Sequence, residues 1–284
     1  MQARMQKALT LLVSNSFLFL KIVFAHTLMK WLPAAETVRR KKVRGVLIEL
    51  SPGRDIHFKR MYYGFYEPLV THAMARLLHQ GDTFIDVGAN MGYLTAIAAG
   101  LVGRQGQVHS FEPVREDFEK LKMLADMNPE YQIYCNQYGL GEREEFADMN
   151  VSNFWVGWNT LVAVAMADKD RKETVRVKMG RLDDYLLEHE RTIGSVALIK
   201  IDVEGYEYYV LKGLERFFQS VAKKPPIICE VSPNYFRRLR LKLEDLIGYM
   251  NEYGYRAFSL IDLKTQVDLT SLKQSTDVLF RCDL

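Results

Sequence analysis

The chain has 284 residues, 48% of them hydrophobic and 26% charged, with 38 Lys and Arg against 35 Asp and Glu for a formal net charge of +3. Such a chain can bury one sizeable core plus appendages, and so small a charge excess gives no ground by itself for a nucleic-acid partner. Cys135, Cys229 and Cys282 show no metal-ligand spacing and cannot all pair with one another, which fits the reduced thiols of a cytosolic enzyme.

Residues 1–44 read as an apolar and basic extension. The apolar run Ala8 to Leu20 is interrupted by Asn15, and Lys21 and His26 punctuate the residues after it, so the segment meets the requirement for a spanning helix only marginally. A cleaved signal peptide would place the chain outside the cytosol. A helix lying in the membrane surface suits the segment better, with Lys30 and the cluster Arg39-Arg40-Lys41-Lys42-Val-Arg44 meeting anionic headgroups. A helix packed on the protein itself or on a second subunit is the third reading. The expectation is a catalytic domain on the cytoplasmic side, held at the membrane surface through residues 1–44.

Residues 45–80 form a lead-in. Two short strands are predicted around the turn Ser51-Pro-Gly53-Arg, the second being Asp55-Ile-His-Phe. Tyr66-Glu67-Pro68 then opens a helix to about His79, since Pro suits a first helical turn. From residue 81 to 284 strands alternate with helices. Strands are predicted at 83–87, 107–111, 131–135, 196–201 and 226–231, and helices at 93–101, 114–126, 205–219 and 242–253. This rhythm implies an α/β, doubly wound, Rossmann-like domain with a mostly parallel sheet. The runs Tyr255 to Ile261 and Asp277 to Cys282 are joined by too short a polar stretch for a crossover helix, so they should pair antiparallel at the sheet edge. Residues 143–175, with Trp155, Trp158 and Asn159, interrupt the order and would suit an acceptor lid over the strand ends.

The segment Phe84-Ile-Asp86-Val-Gly88-Ala-Asn90-Met-Gly92-Tyr couples an apolar run to a glycine turn and a helix start, the device by which a βα link cradles a nucleoside cofactor. The next strand ends in Glu112-Pro113, an acid placed to accept hydrogen bonds from a ribose diol. Charge decides between cofactors. Asp86 at the turn would repel a pyrophosphate but attract the ammonium of S-adenosylmethionine, and the spacing G-x-x-x-G departs from G-x-G-x-x-G. Further on, Ile199-Lys200-Ile-Asp202-Val-Glu204-Gly205-Tyr-Glu207 alternates charge with apolar residues at a strand end. Lys200, Asp202 and Glu204 therefore project to one side, which is costly unless they face a polar cleft. A structural ion pair of Lys200 with Asp202 or Glu204 would satisfy the same pattern.

These motifs, with Gly64-Phe-Tyr66-Glu67-Pro68, Arg181-Leu-Asp183-Asp184 and Ile228-Cys229-Glu230, resemble the FkbM-type methyltransferases over roughly residues 60–284. The resemblance implies the class I fold that uses S-adenosylmethionine and O-methylation of a hydroxylated small molecule, glycan or lipid-linked acceptor. It carries the cofactor over to Gly88, Asn90 and Gly92 (methionine end), Asp86 (ammonium), Glu112 with Pro113 (ribose), Tyr138 and Gly139 (adenine side) and Glu67. The catalytic group is sought among Asp202, Glu204, Glu230 and Lys200. Asp202, Glu204 or Glu230 could take the acceptor's proton, His57 and His72 being weaker candidates. Alternatively Asp202 and Glu230, ending adjacent strands, could hold a divalent metal that acidifies the acceptor. Two carboxylates lack a third ligand, so the metal-free base is preferred. A catalytically inactive membrane-tethered binding protein and a nucleic-acid methyltransferase are the alternative functions. The intact acids count against the first and the absence of an N/D-P-P-Y/F motif against the second, so nucleic acid is not the expected acceptor.

Overall fold

The structure, a computed structural model, describes residues 20, 23, 32, 37–152, 159–162, 168–190 and 195–282. Its centre is a seven-stranded sheet in the order β11-β12-β10-β9-β3-β4-β5. The strands are β3 (Thr83–Val87), β4 (Gln107–Phe111), β5 (Gln132–Asn136), β9 (Val196–Ile201), β10 (Ile227–Val231), β11 (Tyr255–Ser259) and β12 (Thr276–Cys282). The five from β5 to β10 run parallel, and β12 and β11 complete the edge antiparallel, as the sequence led one to expect. This is the doubly wound class I methyltransferase architecture. Successive residues of the central strand serve opposite layers: Phe84 joins one core with Ala96 and Leu198, and Ile85 and Val87 join the other with Ile199, Phe218 and Phe280. Because both faces are covered, β3 is buried at all five positions and reads as a continuous rather than an alternating apolar run.

The first layer contains α1 (Ile56–Tyr63), α2 (Pro68–Leu77) and α3 (Tyr93–Val102). A ribbon of β1 (Arg39–Val43) and β2 (Val46–Leu50) lies on α3. Val46, Ile48 and Leu50 are at most 1% exposed. At roughly 1.5–3 kcal/mol per buried aliphatic side chain, these three anchor the ribbon firmly. A boundary between residues 44 and 45 would therefore cut a hairpin, since all five residues of β1 pair with β2. The expected second strand at Asp55-Ile-His-Phe is instead the start of α1. Asp55 accepts hydrogen bonds from the backbone amides of His57 and Phe58, so the acid is an N-cap that stops the extended chain.

The second layer holds α5 (Leu182–Glu188), α6 (Glu207–Lys212), α7 (Glu215–Ser220), α8 (Pro233–Arg238) and α9 (Leu243–Glu252), while α4 (Arg115–Asp126) follows β4. The helix expected over 205–219 is broken at Gly213-Leu214 into α6 and α7. The interruption at 143–175 is a long hairpin, β7 (Glu145–Ser152) with β8 (Arg171–Gly180), which joins β6 (Gly139–Leu140) in a separate three-stranded sheet. Trp155 and Trp158 lie outside the described residues. Among those described, no helix is long and apolar enough to cross a membrane.

Candidate active site

A cavity of about 610 Å³ opens at the carboxyl ends of β3, β4, β9 and β10, where open α/β sheets place their ligands. Four chain segments reach it as expected: Gly88 and Asn90 after β3, Glu112 and Pro113 after β4, Lys200, Asp202 and Glu204 at the end of β9, and Glu230 on β10. Glu67, at the mouth of α2, and His57, on α1, also line it, whereas His72 does not.

The turn after β3 is forced by close approach. Gly88 has φ +78°, and a Cβ there would stand 1.9 Å from the carbonyl oxygen of Asp202. Asn90, also left-handed at φ +51°, caps its own turn by accepting from the Met91 amide at 2.7 Å and donates its backbone N–H to Glu112 at 2.9 Å. Glu112 accepts from the Val114 amide with its other oxygen at 2.8 Å. One carboxylate thus ties the glycine turn to the start of α4 while lining the cavity. Burial, helped by Asp117, pushes its pKa up to about 8 against the opposing amide bonds.

Asp86 sits elsewhere than the sequence reading placed it. It is fully buried below the cavity and does not line it. As the penultimate residue of β3, in register with Ser110 on one side and Lys200 on the other, it faces the layer of α3 rather than the strand end. It accepts from the Thr95 hydroxyl at 2.7 Å and lies 3.7 Å from the Lys200 ammonium. A direct contact from Asp86 to a ligand's ammonium is therefore not provided. Gly92 is likewise buried beneath the turn, as the N-cap of α3. Tyr138 and Gly139 are also outside the cavity. The chain leaves β5 for the second sheet at this point, so the Tyr138 ring packs on Phe111 at 5.4 Å and Gly139 borders a separate small void.

Lys200 is a tie. It donates to the Gly88 carbonyl at 3.0 Å and approaches Asp202 at 3.4 Å and Asp86 at 3.7 Å. Burial opposes its charge, but Asp202, Asp86 and Glu67 outweigh it and raise the lysine's pKa. A lysine so held does not take up a proton; it fixes the glycine turn against the end of β9 and gives Asp202 a permanent positive neighbour. Beyond Ile201 the alternation expected through Glu204 is lost, because Glu204 (φ +53°) and Gly205 (φ +103°) turn the chain sharply and Val203 also meets the cavity.

Around Asp202 the other acids crowd one another. Glu204 accepts from the Tyr235 hydroxyl at 3.0 Å. Burial first and then Asp202 push its pKa up to about 9. Burial and the same neighbour, with Glu207, Glu204 and Asp277 adding, push Glu230 up to about 10. Both are thus protonated near neutral pH, which suits donation to a ligand hydroxyl and removes them as ready bases. Glu207 and Asp277 went unnoticed in the sequence as site residues. Glu207 follows the β9 motif and holds its turn by accepting from the Val203 and Gly205 amides, both at 3.0 Å. Asp202, Glu207 and Glu230 each offer a carboxylate oxygen within 4.8 Å of the others, which supplies the third ligand that a cation site lacked. Asp277 comes from β12, directly opposite Glu230 across the antiparallel pair, a position that no local motif marks.

The hairpin inserted after β6 also contributes. Met149 and Asn159 line the cavity, and Thr160 donates to the Glu204 carbonyl at 2.6 Å. The part of the expected lid at 153–158 and 163–167 lies outside the described residues.

Residues 86–257, more than half of the chain, match the family described as the methyltransferase FkbM domain. The chain belongs to the FkbM methyltransferase family. Among solved structures, methyltransferase FkbM from Methylobacillus flagellatus KT aligns at 18% identity and a TM-score of 0.44, covering 94% of this chain and 60% of that one. An rRNA methylase from Streptococcus thermophilus aligns at 10% identity and a TM-score of 0.42, over 76% and 95% of the two chains. Aeropyrum pernix fibrillarin, solved with natively bound S-adenosyl-L-methionine, aligns at 12% identity and 0.42, over 88% and 97%. No curated protein matches the chain.

Proposed function

We propose that this FkbM methyltransferase family member transfers a methyl group from S-adenosylmethionine to a hydroxyl oxygen of a sugar, glycolipid or natural-product acceptor. The observation that carries the reading is the meeting, in one cavity, of the Gly88 turn, Glu112 and the carboxylates ending β9 and β10. The cavity fits such a cofactor. Glu112, already anchored by two amides, keeps lone pairs for a ribose diol, and the Gly88 backbone, without a side chain, leaves the ligand access to the turn. The cofactor supplies an electrophilic methyl carried on a sulfonium. The protein's task is to align an acceptor oxygen in line with it and to remove that oxygen's proton.

Asp202 is the residue proposed to take the proton, since it lines the cavity at the end of β9, 3.4 Å from the Lys200 ammonium, while burial keeps the protons on Glu204 and Glu230. Those two acids, with Asp277, offer several donors and acceptors to a polyhydroxylated acceptor, which is why a sugar-like substrate suits this site better than an apolar one. The same reading extends to place: residues 1–44 are proposed to bring the enzyme to an anionic membrane surface on the cytoplasmic side. Titration calorimetry with S-adenosylmethionine, followed by transfer of labelled methyl to fractionated polar lipids and glycans, tests the function. Absence of cofactor binding by the folded wild-type protein would overturn it.

A further inference from the structure

The cavity wall is unevenly charged. Among the described residues six acids line it (Glu67, Glu112, Asp202, Glu204, Glu230 and Asp277), against two permanent cations, Lys200 and Arg60. Lys200 is consumed by the Gly88 carbonyl, Asp202 and Asp86. Arg60 is different: it forms no ion pair among the described residues, and its Nε is buried with no hydrogen-bond partner. Desolvating a guanidinium N–H without a partner is costly, so a ligand that completes it gains more than a surface contact would.

The position of Arg60 says which ligand group it would meet. It lies one turn after His57 on α1, and both line the cavity. The His57 ring meets Tyr66 with centroids 6.1 Å apart, and Tyr66 meets Tyr93 at 5.5 Å. Tyr93 directly follows Gly92, so this face of α1 is linked through two ring contacts to the start of α3, just behind the glycine turn. The amino-acid end of S-adenosylmethionine, which the functional reading puts at that turn, bears one carboxylate. None of the acids around the cavity offers it a positive charge, and Lys200 is already engaged. We infer that Arg60 binds the α-carboxylate of S-adenosylmethionine through its guanidinium and so orients the methionine end of the cofactor.

This inference rests on the proposed cofactor, and the test separates the two. S-adenosylmethionine and its decarboxylated analogue are titrated into wild-type protein and into Arg60→Gln and Arg60→Lys, with thermal melts of each unliganded protein. Arg60→Gln should bind S-adenosylmethionine about ten- to hundredfold more weakly, the range for a charge-assisted hydrogen bond. It should bind the decarboxylated analogue as the wild type does, and Arg60→Lys should recover part of the loss. Equal affinity of wild type and Arg60→Gln for S-adenosylmethionine would overturn the inference. So would an equal loss for both ligands, whether or not the melts show a weakened fold. Wild-type protein that binds neither ligand would instead overturn the cofactor reading itself.

Discussion

Gly88 and Asp202 meet backbone to backbone: the Asp202 amide donates to the Val87 carbonyl at 3.1 Å, and the Asp202 carbonyl oxygen occupies the space where a Gly88 side chain would begin. The glycine turn and the end of β9 are thus one unit. Gly88→Ala should destabilise the protein by about 2 kcal/mol or more, from left-handed backbone strain and the clash together, and should abolish cofactor binding. Chemical denaturation and calorimetry check this, and a variant with wild-type stability and affinity would show that the contact gives way easily.

Glu112 binds two amides as well as facing the cavity, so removing it and neutralising it are different experiments. Glu112→Ala should weaken S-adenosylmethionine binding by about 1.5–3 kcal/mol and also lower the melting temperature. Glu112→Gln keeps one good acceptor and should lose less of both. Unchanged affinity in a folded Glu112→Ala variant would remove this acid from the cofactor site.

Asp202→Asn should keep cofactor affinity yet lose roughly a hundredfold or more in methyl transfer, the usual cost of a missing general base. Glu207→Gln distinguishes the two roles open to the carboxylate. If Asp202 acts as a metal-free base, chelation leaves the wild-type rate intact. A chelation-sensitive rate restored by magnesium or manganese would assign Asp202, Glu207 and Glu230 to a cation site, and Glu207→Gln would then weaken the metal dependence.

The geometry of strand ends decides how much of the site was legible in the sequence. Gly88, Glu112 and Asp202 could be read because each immediately follows a strand whose direction the alternation of elements had set. Asp86 was misplaced by two residues' worth of pleat: still inside β3, its side chain enters the helix layer. Arg60 was hidden by a local ambiguity, since Asp55-Ile-His-Phe has the period of a strand while Asp55 is in fact a helix cap. Asp277 reaches the site through an antiparallel pairing with Glu230, the nearest motif residue but far back along the chain, and nothing in its neighbours' sequence records that contact.

The crowded acids make a prediction about pH. Glu204 and Glu230 carry folded pKa values near 9 and 10 against an ordinary 4.5, so between those limits the folded protein holds protons that the unfolded chain has released. Stability from these groups is full below about pH 4.5 and is lost as pH rises toward 9–10. Melting temperatures of the unliganded protein should therefore fall from pH 6 to pH 9, and Glu230→Gln, which cannot ionise, should flatten the decline. A slope unaltered by the substitution would mean that Glu230 is not held protonated.

The last prediction concerns the amino-terminal segment and where to cut it. The cluster Arg39 to Arg44 belongs to the folded ribbon: β1 pairs with β2 throughout, Arg40 bonds Glu49 at 2.9 Å, and the Arg44 backbone lies so close to α3 that a Cβ on Gly100 would come within 2.5 Å of its carbonyl oxygen. Arg39, Arg40 and Lys42 remain exposed on this ribbon, available to anionic headgroups beside the apolar segment. A chain beginning at residue 37 should be soluble, bind S-adenosylmethionine and retain a weak, salt-sensitive attraction to anionic vesicles. One beginning at residue 45 should lose stability, because the buried strand β2 becomes an unpaired edge. The full chain should sediment with anionic vesicles far more than either, and less so in high salt. If it stays in the supernatant, residues 1–36 are not a membrane anchor, and aggregation of the chain beginning at 37 would place them in the protein's own core or in a subunit interface.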